Sequence, residues 1–158
     1  MTKNKPQSSD ENLQIRMGTE SDIESAFELV RELAEYEKAL DEVTTTPDYY
    51  RTVYKQGLFS FIIAERKEEP VGIMIFFDAF STWKGKMLWL EDFVVREQAR
   101  RSGIGEQMFW FLVDYARKNE YALIKWEVLD WNTPAINFYK KIGARLETNW
   151  WDGKYFLK

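Results

Sequence analysis

The sequence predicts a mixed α/β domain with the element order β-α-α-β-β-β-α-β-α-β-β, a mixed sheet carrying helices on both faces. Two observations carry this reading. Short runs rich in aromatic and β-branched residues recur between longer stretches with helical spacing. The run over 89–95 is followed by a glycine-punctuated turn, a broad apolar helix and another strand-like run, which is the pattern of a parallel, right-handed crossover. At 158 residues the chain has the length of one domain with one core.

Taken in order, residues 1–12 (MTKNKPQSSDEN) are polar and aperiodic and read as a disordered tail, leaving 13–158 as a single domain. Leu13, Ile15 and Met17 alternate with polar residues as in a half-buried strand. Thr19 with Asp22 three positions on resembles a capping box, and Ile23, Phe27, Val30, Leu33, Ala34 and Leu40 keep helical spacing after it. Pro47 suits the first turn of a second helix that Gly57 stops. Runs over 58–65 and 71–77 flank a charged turn and predict an antiparallel hairpin, with a loop over 78–86 behind it. The strand over 89–95 comes next, then the helix bearing Ile104, Met108, Leu112 and Tyr115 on one stripe. A strand is predicted over 122–129, a short helix from Pro134 to a Gly143 cap, and an aromatic hairpin from strands over 145–148 and 150–157.

Composition narrows the chemistry. There are 22 basic against 26 acidic side chains, a net charge of −4, which disfavours nucleic acid and suits a cationic ligand. Without cysteine or histidine, thiolate nucleophiles, disulfides, imidazole bases and thiolate or imidazole metal sites are excluded. Proton transfer then falls to Glu, Asp, Tyr, Lys or water. No apolar run reaches about eighteen residues, and the polar start lacks the apolar core of a signal peptide. A cytoplasmic protein with no membrane partner is expected.

The stretch WLEDFVVREQARRSGIG over 89–105 concentrates the chemistry. Its strand carries Glu91 and Asp92 among apolar residues, and buried carboxylates need partners or a task. Strict alternation points those two to opposite faces, so that one faces an acceptor and the other is structurally paired. Arg100, Arg101, Ser102, Gly103, Ile104 and Gly105 combine two guanidinium groups with a run of backbone N–H groups at a helix start, a cradle for a pyrophosphate. The turn is no mononucleotide P-loop, because no Lys-Ser or Lys-Thr follows, and no dinucleotide fingerprint, because Met108 stands where the third glycine belongs.

R-R-S-G-I-G resembles the pyrophosphate turn of the GCN5-related N-acetyltransferase (GNAT) family, whose pattern is Arg or Gln, two residues, Gly, one residue, Gly or Ala. LEDFVV, WNTPAINFYKKIGA over 131–144, ELAEYEKALDEV over 32–43 and WKGK over 83–86 resemble the diamine and thialysine N-acetyltransferase branch of that family. The resemblance implies a GNAT-like fold with a splay between two central parallel strands, 89–95 and 122–129, that receives acetyl-CoA. It implies that backbone groups of Phe93, Val94 and Val95 hold the pantetheine, that Arg100 to Gly105 with Glu106 hold the pyrophosphate, and that Asn132, Thr133, Pro134 and Ala135 line the far side of the cofactor. Tyr139 then donates a proton to the departing thiolate, and a small cationic amine attacks the thioester directly.

By spacing alone Tyr139 shares a face with Ala135, Phe138 and Ile142 and reads as core; the resemblance makes it catalytic. Glu91 is by resemblance the substrate-side acid, taking the amine's proton through water. Tyr36, Glu37, Trp83, Asp92, Lys125, Trp126 and Glu127 match acceptor-lining positions, although Trp126 and Glu127 face opposite ways along a strand. Polyamine-acetylating relatives carry an acid two positions before the tryptophan matched by Trp83, and this chain has Ser81 there. The loss of that carboxylate weakens a second ammonium contact by about 1.5–3 kcal/mol and favours a compact lysine-like amine. A homodimer is expected by resemblance. The alternatives are a peptide or protein N-acetyltransferase and a non-catalytic coenzyme A-binding module.

Overall fold

The computed structural model describes residues 12–157. The tail expected over 1–12 lies outside those residues except for Asn12, whose carbonyl accepts from Lys67 N at 3.2 Å. The chain divides into two compact units, one ending at Trp126 and the other starting at Glu127.

The first unit holds a sheet in the order β1 (Leu13–Met17), β2 (Ser60–Arg66), β3 (Glu69–Ser81), β4 (Gly85–Val95) and β5 (Leu123–Lys125). The first three pairings are antiparallel and β4 pairs with β5 in parallel. The helices are α1 (Ile23–Tyr36), α2 (Pro47–Lys55) and α3 (Ile104–Lys118), and α3 is the crossover between the two parallel strands. On one face Ile23, Ala26, Leu29 and Val30 of α1 pack with Phe61, Ile73, Ile75 and Val94. Residues of the other parity on β3 face α3: Phe76 meets Tyr115, and a Cβ on Gly72 would stand 2.8 Å from Met108 Sδ. Only glycine lets α3 sit that close to the sheet. Ile62, Met74, Leu88, Met108 and Leu112 are fully buried, each contributing roughly 1.5–3 kcal/mol by leaving water.

Helix α1 starts as the sequence predicts, with Thr19 N donating to Asp22 Oδ2 at 2.8 Å. Arg16 then grips Asp22 through both terminal nitrogens, each at 2.8 Å, and reaches Glu65 at 3.0 Å. The helix ends at Tyr36 rather than running to Leu40. Lys38 takes a left-handed φ of 60° and Ala39 N returns to Ala34 O at 2.8 Å, closing the last turn as a glycine usually does. The predicted loop over 78–86 is mostly strand, because β3 and β4 form a long hairpin whose last pair is Ser81↔Gly85. Ser81 Oγ accepts from Lys84 N at 3.1 Å and closes that turn.

The strand expected over 122–129 is confined to β5, and its pairing with β4 stops at Trp89↔Lys125. Because β4 continues to Val95, its far half has no β5 partner, and β5 is the edge of the described sheet rather than a central strand.

In the second unit α4 (Thr133–Lys141) is capped by Asn132, whose Oδ1 accepts from Ala135 N at 3.3 Å, with Pro134 in its first turn. Gly143 closes it at a φ of 88°. The two strands predicted over 145–148 and 150–157 do not form, and Trp150, Trp151, Tyr155, Phe156 and Leu157 are 71, 98, 90, 73 and 90% exposed. Aromatic strand propensity reflects packing on a neighbouring strand, and among the described residues no neighbour is there to take it.

Candidate active site

Two carboxylates that strict alternation would send to opposite faces are brought to the same one. The β3–β4 register runs Ile75↔Asp92 and then Phe76↔Leu90, so Glu91 is the extra residue of a β-bulge. Trp89, opposite Phe77, and Asp92, opposite Ile75, therefore both lie on the α1 face although they are three residues apart. Glu91 stays with them: Trp89 Nε1 donates to Glu91 Oε2 at 2.7 Å. The expectation that the two acids diverge is corrected, and the bulge is the reason.

The two acids act on each other's surroundings and on one common neighbour, Tyr50. Asp92 is pushed up from 3.8 to about 7, first by burial, then by the charges of Glu91 and Glu37. Glu37, which caps the C-terminal end of α1, is itself raised by burial. The Tyr50 phenol of α2 is raised by burial, by Asp92 and more weakly by Glu91, with a hydrogen bond to Thr45 acting in the opposite sense. Tyr50 is held edge-on by Phe27 and Phe59, at ring-centre distances of 5.1 and 5.8 Å. Three carboxyl groups and a phenol thus share one face, an environment that favours a bound cation. Sequence reasoning missed Tyr50 and Trp89. The only local hint was the aromatic spacing of α2, which says nothing about the strand it covers.

Lys125 of β5 lies beside this face, its Nζ 5.7 Å from the Trp89 ring centre. Trp126 does not share it, because its ring packs edge-on against Phe109 of α3 at 5.8 Å. Trp83 is 83% exposed at the tip of the β3–β4 hairpin. At about 3.3 Å per residue, the run of β4 from Gly85 to Glu91 separates that tip from the acids by about 20 Å.

The other end of β4 leads into the glycine turn. Arg96 is tied to Glu32 at 2.8 Å and to Pro70 O at 2.9 Å, which fixes the strand end. Ser102 Oγ donates to Ala99 O at 2.6 Å and accepts from Arg66 Nη2 at 3.2 Å. Arg101 and Gly103 take left-handed φ values of 63° and 78°, curling the backbone ahead of α3. The helical ladder opens with Gln107 N to Gly103 O at 3.0 Å, so the N–H groups before it point out of the helix start. These donors, at the positive end of a fifteen-residue helix, fit a pyrophosphate. Arg100 is also held within the chain: its Nε donates to Val95 O at 2.7 Å and its guanidinium carbon stands 5.3 Å from the Tyr36 ring centre. Of the β4 residues expected to supply backbone contacts, Val94 is buried in the α1-face core while Phe93 and Val95 take the α3 face. All three belong to the stretch without a β5 partner.

In the second unit Asn132 is buried and spends its side-chain oxygen on the α4 cap. Tyr139 is 6% exposed, with Phe138 packed at 5.4 Å between ring centres. Thr133, Pro134 and Ala135 form the first turn of α4, and Glu127 lies ahead of it.

The chain is 34% identical over 131 residues to thialysine N-epsilon-acetyltransferase of Caenorhabditis elegans, covering 83% of this chain and 82% of that one. It is 32% identical over 141 residues to the protein of the same name from Bos taurus, covering 83% of each. The fold matches an aminoglycoside acetyltransferase from an uncultured soil metagenomic sample with a TM-score of 0.81 at 16% identity, covering 96% of this chain and all of that one. Residues 23–144 match the acetyltransferase (GNAT) family, whose enzymes use acetyl-CoA as co-substrate. This chain therefore belongs to the GNAT family of N-acetyltransferases.

Proposed function

We propose that this protein acetylates the side-chain amine of a compact, lysine-like molecule such as thialysine. The observation that carries the reading is the shared face of Glu37, Glu91, Asp92 and Tyr50, which supplies negative charge to a single ammonium group. Ser81 at the hairpin turn, in place of an acid, favours a short acceptor over a long polyamine. The names of the relatives from Caenorhabditis elegans and Bos taurus support the same class of substrate.

Acetyl-CoA supplies the acetyl group as a thioester. The N–H groups at the start of α3, with Arg101, Ser102, Gly103, Ile104, Gly105 and Glu106, hold its pyrophosphate, and the backbone of Phe93 to Val95, beyond the stretch of β4 that pairs with β5, holds its pantetheine. Thr133 to Ala135, behind Asn132, line the far side. Glu91 and Asp92 bind the ammonium and remove its proton, leaving a neutral nitrogen whose lone pair forms the C–N bond as the C–S bond breaks. Tyr139 gives its phenolic proton to the departing sulfur and regains one through water as the newly acylated nitrogen sheds its second proton. Tyr36, Glu37 and Lys125 border the acceptor, with Trp83, Trp126 and Glu127 contributing from outside the acid face.

The reading further includes a cytoplasmic homodimer. The exposed Trp150, Trp151, Tyr155, Phe156 and Leu157 offer apolar surface for a second copy. Light scattering on the purified protein reads the oligomeric state.

An amine panel of thialysine, lysine, ornithine, diamines, spermidine, aminoglycosides and lysine peptides, read by thiol release, tests the assignment. Compact amino acids are expected to give the highest kcat/KM. Preference for peptides would establish the protein-acetylating alternative, and coenzyme A binding without thiol release on any amine would establish the non-catalytic one.

A further inference from the structure

The glycine turn and the acid face are built from different elements, and one side chain of the turn reaches the end of α1 beside Glu37. Arg100 opens the turn, donates from Nε to Val95 O at 2.7 Å, and lays its guanidinium 5.3 Å from the centre of the Tyr36 ring. Tyr36 is the last residue of α1, and the next residue, Glu37, is one of the charges acting on Asp92. The last turn of α1 contains no basic residue of its own, so the cation from the turn complements the negative end of that helix.

Guanidinium chemistry lets one arginine serve both sides. Its planar face attracts an aromatic ring while its edge keeps N–H donors for an anion. With Nε committed to Val95 O, the two terminal nitrogens carry four remaining N–H groups. An anion gripped by that edge orders the guanidinium, and the ordered guanidinium holds the Tyr36 ring and the end of α1. A second ligand that uses the end of α1 then has less motion to freeze.

We propose that Arg100 is a positioning residue that ties the pyrophosphate turn to the acceptor face through Tyr36, so that bound coenzyme A tightens amine binding. This rests on the acetyl-transfer reading above.

The test is calorimetric titration of thialysine into the intact protein with and without saturating coenzyme A, combined with backbone hydrogen exchange of residues 35–39. In the wild type, coenzyme A lowers the amine Kd by about fivefold or more. Tyr36→Leu and Arg100→Gln each reduce that ratio to below about twofold, the double variant reduces it no further, and Tyr36→Phe, which keeps the ring, retains it. Coenzyme A alone slows exchange at 35–39 in the wild type and in Tyr36→Phe but not in Tyr36→Leu. A coupling ratio unchanged in Tyr36→Leu, or exchange at 35–39 indifferent to coenzyme A in the wild type, overturns the proposal. The exchange measurement needs no amine: wild-type protein that binds none of the panel but still protects 35–39 would sink the acetylation reading and leave the Arg100–Tyr36 tie standing.

Discussion

The indole N–H of Trp89 donates to Glu91 Oε2 at 2.7 Å, and Glu91 is the bulged residue of β4. The indole itself is stacked on Phe77, with ring centres 6.4 Å apart and planes at 27°. A carboxylate on an exposed strand position is thereby given one orientation. Trp89→Phe keeps a ring on Phe77 and deletes the donor. The amine KM is expected to rise about three- to tenfold, equivalent to roughly 1 kcal/mol, with the acetyl-CoA KM unchanged, as steady-state kinetics with each substrate varied in turn will show.

Asp92 sets a pH dependence. With its carboxyl raised to about 7, the acid is protonated below that pH and carries no charge for an ammonium. The kcat/KM for the amine is expected to fall as pH drops through about 7, approaching tenfold per unit. Asp92→Asn removes this limb, and Glu37→Gln, by deleting one of the repelling charges, moves it to lower pH. A pH profile of kcat/KM for the three proteins decides the matter, and a Glu37→Gln limb at higher pH would show that Glu37 does not act on Asp92.

Asp22 predicts where acid weakens the fold. Its carboxyl is lowered from 3.8 to about 2, chiefly by the hydrogen bond from Arg16. A depressed acid contributes stability that is fully present above its unfolded value and is lost as pH falls through the folded one. Asp22→Asn is expected to cost on the order of 2 kcal/mol at pH 7. The gap between the two proteins should close between about pH 4 and pH 2 in urea unfolding.

For Tyr139 the core and the catalytic readings separate cleanly. Tyr139→Phe keeps the buried ring and its packing on Phe138 while removing the hydroxyl. If the phenol is the proton donor, kcat falls by about 10²–10⁴ with coenzyme A affinity intact. A variant with full turnover would return Tyr139 to the core.

Local signals carried much of this molecule in the sequence. The Thr46 and Pro47 start of α2, the Pro134 and Gly143 limits of α4, and the glycine turn with the broad apolar stripe behind it all depend on residues close in the chain. The β4–α3–β5 crossover follows from them, because a strand, a helix and a strand in series leave one handedness. Family membership was legible for the same reason, since the motifs are short and occur in order.

What only the tertiary structure decided is where side chains go once strands pair. The facing of Glu91 and Asp92 turns on a bulge, and a bulge is a property of the register between β3 and β4, which alternation along one strand does not contain. Arg100 was read toward an anion from its motif, and the folded chain adds Val95 O and the Tyr36 ring as partners, with Tyr36 arriving from the far end of α1. Tyr50 entered the acid face the same way, carried there by α2. The strands expected over 145–157 fail among the described residues because a strand needs a neighbour, and no stretch of sequence supplies its own.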